Sequence, residues 1–310
     1  MRDLYQPGRS TVHAPNGMAA TSHPLSTSTA LNILRTGGNA MDAAIAAVAV
    51  QCVVEPQSTS IGGDCFCLYS PKGRGVVAYN GSGTAPNSAT PDWYIENGIN
   101  KIEQQTPHSV TIPGAVDAWS QLLKDHGTMS FGDILVPAIE YARNGAPINH
   151  RQSYDWSLCE DLLSNDPTSR EQYLVNGKAP KMGTMVKLPL LAKSLEYLAE
   201  RGRDGFYSGF IAEDIVSFLK GLGGLHTLDD FASYTGKYVT PIQTNYRGFD
   251  VYECPPNGQG VVAMQSDAGE EIKELVFKNI QPKRKTEDDD KNSEETSALG
   301  SLGLKPKPAL

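Results

Sequence analysis

Long apolar runs are missing from this 310-residue sequence. No stretch reaches the roughly eighteen uninterrupted apolar residues that a bilayer-spanning helix needs, so no membrane partner is expected. The opening Met1-Arg-Asp-Leu-Tyr-Gln-Pro-Gly8 has no apolar signal-peptide core, and a cytoplasmic location is the expectation for the sequence as written. Basic excess is missing too: 27 Lys and Arg face 35 Asp and Glu, a net charge of -8. Nucleic acids and anionic membrane surfaces both demand a basic patch, so neither is expected as a partner. Cysteine is sparse, five in all and at no framework spacing. Cys65 and Cys67 lie two apart on an expected strand and face the same side. No further ligand stands at metal spacing, so they read as small buried residues rather than a metal site. Gly258 and Gly260 lack a following Lys-Ser/Thr, which makes them turn residues and not a phosphate cradle. No cofactor is expected.

With 39% hydrophobic and 20% charged residues, the composition is that of a globular protein, long enough for one large domain or two lobes. Its hub is Ser58-Thr-Ser-Ile-Gly-Gly-Asp-Cys-Phe-Cys-Leu-Tyr69. The paired glycines Gly62-Gly63 open into an apolar β-run, which returns through Pro71–Gly75 into Val76–Tyr79. Before it, Pro24 to Thr36 reads as a helix stopped by Gly37-Gly38. Asn39 then caps a second helix over Ala40–Val54, with Asp42 in its first turn. That helix is apolar all round, so it is expected to be buried on all sides, against the hairpin that follows.

After the hairpin, Asn80-Gly-Ser-Gly-Thr-Ala-Pro86 is a loop, because two glycines and a proline prevent regular structure. Thr90 and Pro91 begin a short helix. Ser109–Ile112 reads as a short strand ended by Pro113-Gly114, followed by a helix from Ala115 to about Asp125. Ser130 caps a helix closing at Gly145. Residues 150–220 are mostly helical by their three- and four-residue apolar spacing (Leu191, Leu195, Leu198; Ile211, Ile215, Phe218, Leu219). Thr227–Asp230 starts another helix, and Phe249–Cys254 alternates as a strand before the Pro255–Gly260 loop. The order predicts an α/β (α+β) fold in which helices cover a sheet.

Near Ser266 the character changes. Residues 266–310 hold 10 acidic and 8 basic residues, 18 of 45, too polar to offset the entropy of ordering. Two regions follow: 1–265 as the folded part and 266–310 as a charged, disordered tail, with at most a helical turn near Ile272–Phe277.

Eight segments, in order, resemble the large-subunit part of the γ-glutamyltransferase (glutathione hydrolase) family. They are Gly17-Met-Ala-Ala-Thr-Ser-His-Pro24, Gly37-Gly-Asn-Ala-Met-Asp-Ala43, Val54-Glu-Pro56 leading to Ile61-Gly-Gly63, Ile112-Pro-Gly114, Pro137-Ala-Ile139, Phe206-Tyr-Ser-Gly209, Tyr246-Arg-Gly248 and Pro255-Pro256. The resemblance covers positions 9 to 265. It implies an Ntn-hydrolase-like αββα sandwich, incomplete here, with a helical middle section. It also implies a precursor that cuts itself and frees a threonine nucleophile, whose hydroxyl attacks a γ-glutamyl amide with the new α-amine as base. Relatives of this kind are often periplasmic or extracellular.

The departures from that family set the functional expectation. The family's nucleophile lies in a Thr-Thr-His-type motif well beyond the Pro-Pro loop, and the resemblance stops at about Gln265. No catalytic residue is therefore assigned. Thr106-Pro-His-Ser-Val110 imitates such a motif, but it precedes Ile112-Pro-Gly114, a large-subunit landmark, and proline at its second position does not match. The resemblance also implies an arginine in an Arg-Glu-x-Ala-Pro loop that holds the substrate carboxylate. Aligned on Ala85-Pro86, Ser82 occupies that place, Gly83 stands for the glutamate, and Ser82 and Thr84 are the candidate substrate-binding residues. Serine offers one neutral hydrogen bond where a guanidinium fork would offer charge. Arg74, in the hairpin turn, is the nearest cation by sequence, and a solvated turn arginine is its plainer reading. The chain is thus expected to be inactive alone. A small γ-glutamyl or other amide substrate is expected only once a possible separate small subunit completes it. The alternatives are an acylase-like amidohydrolase large chain that needs such a subunit, and a non-catalytic binding homologue. His23 reads as a capping or packing residue, and His108, His126, His150 and His226 lack partner spacing for a metal or a triad.

Overall fold

The computed structural model describes residues 12–265; the charged tail at 266–310 and the turn expected within it lie outside the described residues. The chain divides into two compact units, one running to Pro241 and one starting at Ile242.

The first unit begins with two capped helices. In α1 (Pro24–Arg35) the Nδ1 of buried His23 accepts the Leu25 N–H at 3.1 Å, the capping role its position suggested. α2 (Ala40–Val54) starts from a capping box: Asn39 Oδ1 accepts the Met41 N–H at 2.8 Å and Asp42 Oδ2 accepts the Asn39 N–H at 2.7 Å. Its centre is sealed, with Ala46, Ala49 and Val50 each at 0% exposure. α2 packs most extensively among α1, α4 (Ala115–His126) and α5 (Phe131–Asn144), α4 lies on the hairpin, and Cys52 of α2 is near enough to Cys65 of the hairpin to interact with it electrostatically. An alanine-rich surface lets other helices approach closely, so a helix without a polar face finds its cover among helices.

The hairpin pairs β1 (Cys65–Tyr69) with β2 (Val77–Gly81), and β2 pairs on its other side with β5 (Lys237–Val239), all antiparallel in the order β1-β2-β5. Cys67, Tyr79 and Tyr238 share one row of the register. Along β1 the burial alternates: Cys65, Cys67 and Tyr69 are half-buried on one face, while Phe66 and Leu68 stand 43% and 41% exposed on the other. The two cysteines do share a side, half-buried rather than fully buried.

Helices dominate the middle, as the spacing predicted. After α3 (Pro91–Glu96), α4 and α5 come a two-residue strand β3 (Ala146–Pro147), α6 (His150–Leu158), α7 (Glu160–Ser164) and α8 (Pro167–Tyr173). Next are β4 (Met185–Val186, paired with β3), α9 (Pro189–Arg201), α10 (Arg203–Tyr207), α11 (Phe210–Gly221) and α12 (Leu228–Ser233). The strand expected at 109–112 is not one. Pro107–Ser109 forms a 3-10 turn instead, and Val110–Gly114 runs without a ladder partner. Its Ile112 N–H bonds to the Thr84 carbonyl of a loop, and Pro113 has no N–H to offer a strand.

In the second unit β6 (Ile242–Tyr246) and β7 (Phe249–Glu253) form a hairpin. Its turn residues Arg247 and Gly248 have φ of 52° and 86°, the left-handed pair that a two-residue turn requires. α13 (Gly260–Gln265) follows the Pro255-Pro256 loop, and Met264 packs with Ile242.

One carboxylate ties three helices together. Besides closing the α2 cap, Asp42 accepts the Thr128 N–H (2.9 Å), the Thr128 hydroxyl (2.6 Å) and the Met129 N–H (3.2 Å) from the α4–α5 connection. Burial by itself would raise its pKa, but these donors outweigh burial and hold it below the ordinary 3.8. Its stabilisation is therefore complete above pH 3.8 and is lost as pH falls through the lower folded value. Asp42→Asn is expected to cost roughly 1–3 kcal/mol at neutral pH. In urea unfolding, the gap between parent and variant should close as the solution is acidified; a gap independent of pH would contradict the ionised-carboxylate account.

Candidate functional site

Three loops meet where the sheet runs into α4: Gly62–Asp64 before β1, Gly81–Pro86 after β2, and Ile112–Gly114 before α4. Their contacts are mostly between backbones. The Gly63 carbonyl accepts both the Gly114 N–H (3.0 Å) and the Ala115 N–H (2.9 Å), and the Thr84 carbonyl accepts the Ile112 N–H (2.9 Å). Asp64 Oδ1 accepts the Gly83 N–H at 3.1 Å. The approach is so close that a Cβ on Gly83 would overlap the Ile112 carbonyl, and one on Gly114 would overlap the Gly81 carbonyl. Glycine is needed at both positions for space.

Behind these loops sits Asp117, in the first turn of α4 and only 4% exposed. Its Oδ1 takes the Nε–H of Arg203, from the start of α10. Its Oδ2 accepts the Gly236 N–H (2.7 Å) and the Tyr79 hydroxyl (3.3 Å). Arg203 also donates to the Tyr234 carbonyl and lies over the Tyr207 ring, 4.5 Å from its centroid. Tyr207 accepts the Asp117 N–H (3.2 Å), donates to the Pro113 carbonyl (2.6 Å) and stacks on Tyr234 at 5.7 Å. The Tyr234 hydroxyl then donates to the Ser82 carbonyl at 2.9 Å. Through two tyrosines, one ion pair braces the loops on both sides. Burial, reinforced by the Asp117 charge, raises the pKa values of Tyr79 and Tyr234, and burial raises that of Tyr207, so all three remain neutral donors.

Beside the Gly81–Pro86 loop opens a cleft of about 240 Å³, lined by Thr84, Asn87, Asp230, Ser233, Tyr234 and Thr235 among others. The two candidate residues part company here. Thr84 lines the cleft, whereas Ser82 is held beside it, its N–H bonded to Asn80 Oδ1 (2.9 Å) and its carbonyl to Tyr234. Arg74 is exposed at the hairpin turn, with the five residues of β2 between it and Ser82. Thr106 stands at the start of the 3-10 turn, its hydroxyl donating to the Glu103 carbonyl at 2.9 Å.

Asp230 closes the α12 capping box, as an acid in a first turn should, receiving the Thr227 N–H (2.9 Å) and hydroxyl (2.7 Å). It has a second duty the sequence did not disclose: its Oδ1 accepts the Asn87 N–H at 3.0 Å and pins the cleft's rim. Burial pushes its pKa up, but these hydrogen bonds prevail and it lies below the ordinary value. Next to it, buried His226 bonds through Nε2 to the Val110 carbonyl at 2.9 Å. Among the described residues, no group of three or more His, Cys, Asp or Glu is arranged to hold a metal ion, and no helix is long and apolar enough to cross a membrane.

Sequence reasoning missed Asp117, Arg203, Tyr207 and Tyr234. The available signal was a lone acid among the apolar residues of α4, whose neighbours Val116, Ala118 and Trp119 are all buried. A charge there requires a partner.

Similarity to known proteins falls on the same residues. Positions 26–269 match the family described as gamma-glutamyltranspeptidase. The glutathione hydrolase-like YwrD proenzyme of Bacillus subtilis is 39% identical over 249 residues, which cover 80% of the chain and 47% of that protein. Among solved structures, the gamma-glutamyltranspeptidase of Helicobacter pylori superposes with a TM-score of 0.76 at 29% identity, over 81% of the chain and 73% of the other. A cephalosporin acylase from Bacillus halodurans gives 0.74 at 35% identity, over 84% of the chain and 51% of the other. The chain spans about half the length of the curated relatives it matches, 47% and 44% of the first two.

Two substitutions probe the brace and its surroundings. Asp117→Asn strands the Arg203 charge and is expected to lower stability by about 3 kcal/mol in urea unfolding; a loss below about 1 kcal/mol would show that the pair is not the brace. Burial, helped by the nearby His108, lowers the His226 pKa below 6.5, against the pull of the Val110 carbonyl and the Asp230 charge. Below pH 6.5 the unfolded chain takes up a proton that the folded ring refuses, so stability falls with pH. His226→Gln should flatten the decline between about pH 7 and pH 5; an unchanged slope would place its origin elsewhere.

Proposed function

Since the chain belongs to the gamma-glutamyltranspeptidase family, we propose that its 310 residues form the large-subunit side of an amide-cleaving, acyl-transferring N-terminal-nucleophile enzyme. The observation that carries this reading is where the match falls: 80% of the chain, yet 47% of a glutathione hydrolase-like proenzyme. A threonine hydroxyl with its own α-amine as base must then come from a segment or subunit bearing it, continuous with this chain or separate. What this chain supplies is position. The braced loops form a rigid wall in which Thr84 lines the adjacent cleft and the Ser82 carbonyl is held by Tyr234, and the neutral tyrosines hold that wall while charge develops on the acyl carbon's oxygen elsewhere.

A second reading concerns the acyl group. Ser82, where the family resemblance implies a carboxylate-binding arginine, favours an acylase-like amidohydrolase over a strict γ-glutamyl enzyme. The solved cephalosporin acylase at 35% identity is in keeping with that preference.

The chain by itself is expected to leave γ-glutamyl-p-nitroanilide and glutathione untouched and to remain one band on a denaturing gel. Adding the nucleophile-bearing segment should bring amide cleavage. Turnover by the 310-residue polypeptide, or a new N-terminal threonine generated inside it and seen by mass spectrometry, would overturn the proposal.

A further inference from the structure

The segment from Pro107 to Gly114 holds one side of the Gly81–Pro86 loop. Its Ile112 N–H bonds to the Thr84 carbonyl at 2.9 Å, and its Val110 carbonyl is bound by His226 Nε2 at 2.9 Å. No strand ladder supports it: a 3-10 turn over Pro107–Ser109 runs into extended chain. A segment so held lies at the low-stability end of a structure and opens before packed helices do.

Its anchor is an enclosed histidine. His226 is 1% exposed. Because Nε2 donates to Val110, the neutral ring carries its lone pair on Nδ1, which is buried with no hydrogen-bond partner among the described residues. The same holds of His108 Nδ1, on the 3-10 turn, whose ring packs 5.6 Å from that of Trp93 and 5.5 Å from that of Tyr94 in α3. The charged and titratable groups that act on the His226 ring are His108 and the Asp230 carboxylate of α12. Asp230 is already engaged by Asn87 and Thr227. A proton on Nδ1 would therefore be a buried donor without an acceptor, beside a second imidazole, and such a donor is costly to keep from water. Turned outward, the ring takes the proton freely.

We propose that this segment is an acid-released latch: when His226 takes up a proton, Pro107–Ile112 parts from it, the Ile112–Thr84 hydrogen bond breaks, and the cleft wall loosens while the helical frame stays closed. The frame is indifferent in this range, because its Asp42 clasp stays ionised to below 3.8. Linkage sets the direction. The open segment exposes a ring of ordinary pKa, 6.5, and the closed one holds it lower. The open form gains as pH falls through 6.5, and gains no further below the closed value. The latch is independent of the amide-cleaving reading, since it concerns how the loop is held and not what it meets.

Amide hydrogen exchange of the full chain, followed by NMR between about pH 7 and pH 5, tests the latch. After correction for the intrinsic exchange rate, opening at Ile112 should rise by up to about tenfold per pH unit below 6.5. Val50, at the sealed centre of α2, should not follow. His226→Gln keeps an N–H for the Val110 carbonyl but does not titrate, and should remove the acid step. Should that variant fail to fold, the parent decides: the midpoint of the His226 ring signals should fall where Ile112 opening levels off. Opening of Ile112 in step with Val50, an acid step that survives in His226→Gln, or a ring midpoint at or above 6.5 would each overturn the proposal.

Discussion

A carboxylate that enters an apolar helix face must be neutralised or the helix will not pack there, and Asp117 is the residue on which that requirement falls. Desolvating it is costly unless partners meet both oxygens. Arg203, Gly236 and Tyr79 do so, and each comes from a different part of the chain: the start of α10, the segment before β5, and the middle of β2. The ion pair therefore does more than lower an energy. It fixes which segment lies against which, because any other arrangement leaves a buried charge without a partner. A salt bridge of this kind adds little net stability over a well-packed apolar pair. Its contribution is a single allowed geometry.

That geometry reaches the candidate site through backbone atoms. Tyr207 and Tyr234 are stacked on each other, and each hydroxyl donates to a loop carbonyl, Pro113 in one case and Ser82 in the other. The loops can sit so close only because Gly83 and Gly114 leave no Cβ in the gap. A wall built from main chain and buried tyrosine has few rotamers to lose. It can hold its position at a lower entropic cost than a wall of long exposed side chains.

Much of the helical frame was legible in the sequence, because capping is local chemistry. Asn39 with Asp42, Thr90 with Pro91, Ser130 with Gly145 and Thr227 with Asp230 each mark a helix end within a few residues. The β1–β2 hairpin and the strand at Phe249 were legible for the same reason. What was hidden is long-range. β5 is three residues long and exists because β2 has a free edge beside it. The run at 109–112 has the composition of a strand, but its partner is a loop carbonyl, so no ladder forms. The Asp117–Arg203 pair joins residues 86 positions apart; neither residue announces the other, and an acid in a first helical turn already has an ordinary explanation in the helix dipole. Ser82 and Thr84 were found by family resemblance, and only Thr84 lines the cleft.

The sheet itself bears on how the work is divided. α4 covers the face that carries Cys65, Cys67 and Tyr79, while on the opposite face of β1 Phe66 and Leu68 remain 43% and 41% exposed. Two large apolar side chains adjacent on one strand face are not what a solvated sheet surface would choose, since the polar alternative costs nothing in a strand with one wet side. An open apolar face beside a closed one is the condition of a sheet that packs against another layer. In a sandwich of two sheets, the inner faces are where loops from both halves converge. Among the described residues, one covered sheet face, a braced set of loops at the sheet's end and an exposed apolar strand face make the arrangement of one half of such a sandwich.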